Sequence, residues 1–277
     1  MKIVEALNEA KERLQGVCER PLFEAELLLG YYMKRERVWL HSHHDDLVED
    51  IEGFLALVAR RARHEPYEYI VGEASFYDIV LKVEQGVLIP RPETEILIDK
   101  VSEIIERERI TRIAEIGVGS GAISVVLARK FSDLQIIATD ICETPIKVAG
   151  ENIEAYGLNA RITLRRSSLI DEVPEPLELV VSNPPYIAED FILESNVVDY
   201  EPKEALFGGR VGDELLKQII TDVHQRGIRY LACEMGYDQK APIEAFVKGF
   251  PIEYIEFYQD LAGYDRGFVI DFGKSMK

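Results

Sequence analysis

Apolar positions along the chain follow two different periods, and the change between them marks out its elements. In the first 70 or so residues they recur at helical spacing. Ile3, Leu7, Ala10 and Leu14 share one face, as do Ile51, Phe54, Leu55, Val58 and Ala62, a pattern that stops before Pro66. The stretch Glu24-Ala-Glu-Leu-Leu-Leu-Gly30 predicts a helix with Gly30 as its C-cap. Between positions 74 and 90 the apolar residues Phe76, Ile79, Leu81, Val83, Val87 and Ile89 predict a β-hairpin that turns at Gln85-Gly86. Pro90 and Pro92 break that pattern, and a helix is expected from Glu93 to about Arg107.

From Thr111 onward, strand and helix patterns alternate. Strands are expected at 112–116, 135–139, 161–165, 177–182 and 228–234, with helices at about 121–131, 144–156 and 213–226. Such alternation predicts an α/β fold, a parallel sheet covered by helices on both faces. The tail carries two further strand patterns, Glu253-Tyr-Ile-Glu-Phe-Tyr and Gly267-Phe-Val-Ile-Asp-Phe, joined by a loop too short for a crossover helix. An antiparallel C-terminal hairpin at the sheet edge follows.

Composition narrows the partners. In 277 residues there are 32 Lys and Arg against 50 Asp and Glu, a formal net charge of −18. Nucleic-acid affinity comes largely from basic side chains that displace counterions, so free nucleic acid is a poor first candidate. The first 80 residues, with 10 basic and 16 acidic side chains, are not a basic arm. Cys18, Cys142 and Cys233 are scattered and odd in number, which fits a reducing compartment and no disulfide framework. No apolar run approaches the roughly 18–20 residues of a membrane span. A cytoplasmic protein is expected, without a membrane partner.

Two loops carry the chemistry. In the first, Glu115-Ile116 runs into Gly117-Val118-Gly119-Ser120-Gly121 and then into an apolar helix. Alternating glycines allow positive φ and let the backbone approach a ligand that a Cβ would hold off. The spacing is neither the dinucleotide pattern nor a P-loop. The next strand ends at Asp140, where a doubly wound fold holds a ribose diol. This pattern resembles the S-adenosylmethionine site of seven-stranded, Rossmann-like class I methyltransferases.

The second loop, Leu179-Val-Val-Ser-Asn183-Pro184-Pro185-Tyr186, is a buried strand stopped by two prolines. Prolines donate no N–H, so the loop is stiff and rich in acceptors. A planar NH2 group is held by two in-plane acceptors, which the Asn183 side-chain oxygen and the Pro184 carbonyl can provide, while the Tyr186 ring can cover its flat face. An amide nitrogen is a poor nucleophile because its lone pair is delocalised. Fixing both N–H bonds aims that lone pair, and positioning of this kind is worth roughly 7–11 kcal/mol in favourable cases. No metal and no strong base are required. Asn-Pro-Pro-Tyr is shared by DNA adenine, RNA and glutamine methyltransferases, so the loop alone leaves the substrate open; a basic face across the cleft would favour nucleic acid. A non-catalytic scaffold with the same fold is the third reading, opposed by the intact loops.

The wider sequence is similar to HemK/PrmC-type protein-(glutamine-N5) methyltransferases. The likeness lies in Glu24-Ala-Glu-Leu-Leu-Leu, Arg60-Arg61-Ala-Arg-His-Glu-Pro, Tyr69-Ile-Val-Gly-Glu, Gly86-Val-Leu-Ile-Pro-Arg91-Pro92-Glu93-Thr94-Glu95, Tyr200-Glu-Pro-x-x-Ala-Leu-Phe-Gly-Gly and Asp260-Leu-Ala-Gly-x-Asp-Arg. The resemblance implies a helical substrate-recognition domain (1–72), a β-hairpin connector (73–92) and a methyltransferase domain (93–277). It implies methyl transfer from S-adenosylmethionine to the glutamine of the Gly-Gly-Gln motif in peptide-chain release factors, by a monomeric enzyme. Gly117, Val118, Gly119, Ser120, Gly121, Asp140, Ser168, Leu169 and Asn183 would face the cofactor. Asn183, Pro184 and Tyr186 would be catalytic, and Pro185, Arg91 and Glu93 would join them around the substrate. Two positions depart from the family: Val118 replaces the usual Thr, and Ser168 stands where an acid often accepts from adenine.

Other groups read as structural. His41, His43 and His44 fit a solvated loop, Arg60-Arg61-Ala-Arg63 a solvated helix face, and Tyr31, Tyr32 and Trp39 core or domain contacts. Glu201 is expected to brace the acceptor loop, with Glu204 structural beside it.

Overall fold

The computed structural model describes residues 1–193 and 195–273. The chain forms two compact units: Met1–Glu73 with a short returning stretch that ends at Tyr200, and the remainder from Ala74 onward.

The first unit is helical: α1 (Ile3–Leu14), α2 (Pro21–Met33), α3 (Arg37–Ser42), α4 (Ile51–Arg61) and α5 (Tyr67–Val71). Its core is the set of faces read from the periodicity, with Ile3, Ala10 and Leu14 packed on Leu28, Phe54 and Val58. Helix α2 does not end at Gly30. It continues to Met33 and is capped by Lys34 in the left-handed region, at φ 53°. Gly30 serves close packing instead, because a Cβ there would lie 2.8 Å from the Arg35 carbonyl oxygen. Arg61 is likewise not on a solvated face. It is buried and donates to Glu24, with Nε to Oε2 at 2.5 Å, while Arg60 reaches Glu65. Tyr31 is exposed rather than core, whereas Tyr32 packs on the cluster and donates to Asp50. The three histidines go separate ways: His43 stacks on Trp39, His41 lies 3.5 Å from Glu26, and His44 lies 3.1 Å from Asp45.

The second unit begins with the hairpin β1 (Glu73–Phe76) and β2 (Ile79–Lys82), followed by α6 (Thr94–Glu108). The hairpin turns at Tyr77-Asp78, not at Gln85-Gly86. Tyr77 adopts φ 55° against its propensity because acids of α6 hold it: its N–H donates to Glu95 and its hydroxyl to Asp99. Then follow β3 (Arg112–Ile116), α7 (Ala122–Lys130), β4 (Gln135–Asp140), α8 (Glu143–Ala155), β5 (Ile162–Arg166), β6 (Leu179–Ser182), β7 (Ile187–Ala188) and α9 (Ser195–Val198), the last belonging to the first unit. The chain finishes with β8 (Phe207–Gly209), α10 (Glu214–Gln225), β9 (Tyr230–Glu234), α11 (Lys240–Val247), β10 (Tyr254–Gln259) and β11 (Asp265–Asp271).

Seven of these strands form one mixed sheet in the order β10-β11-β9-β6-β3-β4-β5. The central pairs are parallel, and β11 runs antiparallel to both β9 and β10, which is the expected edge hairpin. Alternate residues feed the two faces: Ile113 and Val181 enter one apolar cluster, Ala114 and Val180 the other. Helix α11 and the small β7–β8 pair were not legible from periodicity, being short and partly exposed. Among the described residues no helix is long and apolar enough to cross a membrane.

Strand order positions the site. From β3 the chain moves outward to β4 and β5, then returns to place β6 on the other side of β3. Loops leaving the C-terminal ends of β3 and β6 therefore open a crevice at this switch point, where α/β sheets bind ligands.

Candidate active site

The glycine loop leaves β3 at the switch point. Gly117, Gly119 and Gly121 have φ of 74°, 54° and 83°, so side chains at all three would be strained. The N–H groups of Gly117 and Val118 both donate to the Thr139 carbonyl at 2.9 Å, and that of Gly121 to the Val118 carbonyl at 2.7 Å. Gly119 N–H reaches Asp140 Oδ2 at 3.3 Å. These donors are used within the protein, so the loop contributes a bare, fixed wall more than a row of free N–H groups. A Cβ on Gly119 would meet nothing within 4 Å, and its space belongs to the cavity.

Beneath the loop, Glu115 is buried and accepts from the Ser124 N–H at 3.0 Å and from the Ser124 hydroxyl. Burial pushes its carboxyl up to about 8, only partly offset by those two bonds. Asp140 accepts from Cys142 N–H at 3.0 Å as well as from Gly119, and burial raises its proton affinity too. Each Asp140 oxygen retains acceptor capacity for an outside hydroxyl.

The acceptor loop leaves β6, whose end is tied to β3 by the Ser182 hydroxyl on the Ile116 carbonyl at 2.8 Å. Asn183 Nδ2 donates to Thr94 Oγ1 at 2.9 Å, and Thr94 Oγ1 donates to Glu234 Oε2 at 2.7 Å. The Tyr186 hydroxyl donates to Glu234 Oε1 at 3.0 Å. Gln239 Nε2 donates to the Tyr186 carbonyl at 2.8 Å. Burial pushes the Glu234 carboxyl up to about 7 and raises the Tyr186 phenol beside it. Strand β8 presses from the other side: a Cβ on Gly208 would lie 2.4 Å from the Pro185 carbonyl oxygen and 2.9 Å from Tyr186 Cα.

Between the two loops lies a cleft lined mostly by apolar and main-chain groups, with a few polar side chains converging on it, as small-molecule sites are. Of the sequence-predicted residues, Arg91, Gly117, Val118, Gly119, Ser120, Asp140, Asn183 and Pro185 line it. Gly121 is not among the lining residues, and a Cβ there would lie 3.4 Å from that of Ala149. Pro184 is buried, Tyr186 faces Glu234, and Glu93 lies close enough to Glu234 to raise its proton affinity. Ser168 and Leu169 stand off this cleft. Leu169, at φ 46°, packs into the same apolar cluster as Ala114 and Val180, and its carbonyl accepts from the Thr139 hydroxyl at 2.6 Å. Glu201 is buried and accepts from Arg91 Nη2 at 2.5 Å and from Ile89 N–H at 3.3 Å, so it braces the Arg91 side of the cleft. Glu204 lines the cleft.

Sequence reasoning missed Thr94, Glu234 and Ile141. An acid that ends a strand was the signal applied to Asp140, and it also fits Glu234 at the end of β9. Ile141 follows Asp140, is 54% exposed and lines the cleft, an apolar side chain beside a carboxylate where a flat ring could lie. The donor set fits S-adenosylmethionine: a wall without Cβ atoms, apolar side chains for a ring, carboxylates Asp140 and Glu204 for hydroxyl and cationic groups, and Arg91 for a carboxylate.

Comparison with known proteins bears on the same regions. Residues 5–72 match the PrmC N-terminal domain and residues 92–199 the methyltransferase small domain. The chain is 34% identical over 254 residues to a release factor glutamine methyltransferase of Clostridium botulinum, covering 88% of this chain and 89% of the relative. To the protein of that name from Dictyoglomus turgidum it is 36% identical, covering 90% of each. With that of Clostridium acetobutylicum it shares 32% identity over 96% of this chain and 97% of the relative. Among solved structures, the catalytic domain of human METTL16 in complex with an RNA hairpin superposes with a TM-score of 0.58 at 17% identity, covering 81% of this chain and 82% of that one. The N-terminal domain of human METTL16 in complex with SAH gives 0.52 at 20% identity, covering 70% and 76%. These two likenesses show the fold.

Proposed function

Because this chain belongs to the release factor glutamine methyltransferase family, we propose that it methylates the side-chain amide nitrogen, N5, of the glutamine in the Gly-Gly-Gln motif of peptide-chain release factors, with Asn183 and the Pro184 carbonyl as the acceptor pair. The protein is an S-adenosylmethionine-dependent methyltransferase, and its product is S-adenosylhomocysteine. The observation that carries the N5 assignment is the anchored Asn183, which lines the cleft beside the glycine loop with its amide NH2 already engaged by Thr94.

When bound, the cofactor supplies an electrophilic methyl on a sulfonium. The chain's own residues do the rest. Gly117, Gly119 and Gly121 keep one wall free of side chains, so that the ligand can lie against the main chain. Asp140 takes ribose hydroxyls with the oxygen capacity left over from Gly119 and Cys142. Val118 and Ser120 line the wall beside it, and Ile141 offers an apolar face to the ring. Asn183 Oδ1 and the Pro184 carbonyl accept the two N–H bonds of the glutamine amide, which fixes its plane and points its lone pair at the methyl group. Pro185 and Tyr186 complete the pocket, with Arg91 and Glu93 at its mouth. No group has to remove a proton before transfer, since the product nitrogen loses it afterwards.

In this reading the helical residues 1–72 recognise the release factor, 73–92 connect, and 93–277 catalyse. The separate core of the first unit and its match to the PrmC N-terminal domain support that division. A charge of −18 supports a protein partner without direct nucleic-acid contact. Three free cysteines support action in the cytoplasm, and we take the active form to be a monomer. Mass spectrometry of a Gly-Gly-Gln release factor after incubation with enzyme and labelled cofactor tests the reaction. One methyl on that glutamine is expected; label in RNA or DNA with none on the protein would overturn it.

A further inference from the structure

We infer that Thr94 and Glu234 are positioning residues that fix which end of the Asn183 amide faces the methyl acceptor. The inference rests on the role given to Asn183 above and adds what enforces it.

A primary amide has two unlike ends, and only its oxygen can hold the N–H of an incoming amide. Nothing in Asn183 itself chooses between them. The choice is made by a chain of groups from three separate elements: Asn183 after β6, Thr94 opening α6, and Glu234 closing β9. A carboxylate accepts and does not donate. The Thr94 hydroxyl therefore spends its proton on Glu234 Oε2 at 2.7 Å, and its oxygen can only accept. The NH2 end of Asn183 fills that acceptor at 2.9 Å, which leaves Oδ1 for the substrate. Through its other oxygen Glu234 holds the Tyr186 hydroxyl at 3.0 Å, so one carboxylate governs both ends of the acceptor loop.

Glu234 is 1% exposed, and no ion pair joins it among the described residues. A buried carboxylate without a direct countercharge is costly, and a glutamine would satisfy packing more cheaply. What glutamine lacks is a fixed polarity. The charged form is opposed by burial and by Glu93, and favoured by the Thr94 and Tyr186 hydroxyls and by Arg266 from β11. Tyr258 of β10 and Cys233 of β9 face the same region, and burial keeps both neutral. The balance leaves the carboxyl at about 7. A proton on Oε2 makes Glu234 donate to Thr94 and Thr94 donate to Asn183, and the amide then turns its oxygen away from the substrate. Turnover thus falls as pH drops through about 7.

The test uses the full-length enzyme with a Gly-Gly-Gln release factor, read by single-turnover rate from pH 6 to 9 and by calorimetric affinity for S-adenosylmethionine. Thr94→Val, close to isosteric, is expected to slow transfer about 100-fold, the order that a small misplacement costs, with cofactor affinity within about threefold. Thr94→Ser returns the rate to within about threefold of the unaltered enzyme, because the hydroxyl is restored. Glu234→Gln is expected to be slow at every pH and to lose the limb near 7, while any limb from Glu115 or Asp140 stays. Normal transfer by Thr94→Val, failure of Thr94→Ser to recover, or an unchanged limb in Glu234→Gln would overturn the inference. An unaltered enzyme that leaves the release factor unmethylated would overturn the proposed function itself, a distinct result.

Discussion

The glycine loop and the acceptor loop sit side by side at the same switch point, yet they are built on opposite plans. The first is held mainly by main-chain bonds, those of Gly117, Val118 and Gly121 within the β3–β4 region, with Asp140 and Asn152 from the β4–α8 segment that follows adding one side-chain bond each, and its left-handed φ values need only glycine. The second is held by distant side chains. Thr94, Glu234 and Gln239 reach it across 89, 48 and 53 residues of sequence, and β8 presses on it from behind. A loop that offers shape can be specified locally. One that must aim a particular atom needs partners on several rigid elements, because two or more fixed points are required to set an orientation.

Breaking either plan should give separable losses. The largest effect is expected from Asn183→Ala, which should abolish transfer while cofactor affinity changes less than about tenfold, or roughly 1.4 kcal/mol. Single-turnover rates and calorimetry check both halves; retained transfer would remove the acceptor pair. Next, Gly119→Val places a branched side chain in the open space of the cleft at φ 54°. Cofactor affinity should fall by about 100-fold or more, since steric exclusion and backbone strain add. Wild-type affinity in that variant would mean that the wall does not touch the ligand. Gly208→Ala sharpens the contrast, because its Cβ would collide with the backbone at Pro185 and Tyr186. A rate loss of about 10- to 100-fold with nearly unchanged cofactor binding is expected. Equal losses in both would show that the two loops are not independent.

The last effect is on stability and leaves both loops untouched. Folded Glu115 holds its proton up to about 8, against an ordinary value of 4.5. Between those pH values the unfolded carboxyl releases a proton that the folded one keeps. The favourable contribution present at low pH is therefore lost as pH rises through about 8. Glu115→Gln cannot titrate, so wild type should lose stability relative to it over that range, by at most about 1.4 kcal/mol per pH unit. Urea melts at pH 5 and pH 8 measure this, and parallel slopes would contradict it.

Much of this was legible in the chain itself. The helical faces of the first unit, the β-α alternation and the edge hairpin follow from periodicity, which is a local property. Gly117 to Gly121 and Asn183 to Tyr186 announce themselves because unusual backbone requirements call for unusual residues. Reading failed where a residue's neighbour lay far off in sequence. Gly30 resembled a cap until the Arg35 carbonyl came down on it, Tyr77 took a turn only because α6 supplied Glu95 and Asp99, and Arg61 was drawn inside by Glu24. Glu234 was one acid among 50 Asp and Glu residues until the sheet order carried β9 beside β6. Sequence determines which groups exist and what each strand and helix can bury; only the assembled sheet decides which hydroxyl meets which carboxylate, because hydrogen-bond direction is a property of the assembled partners.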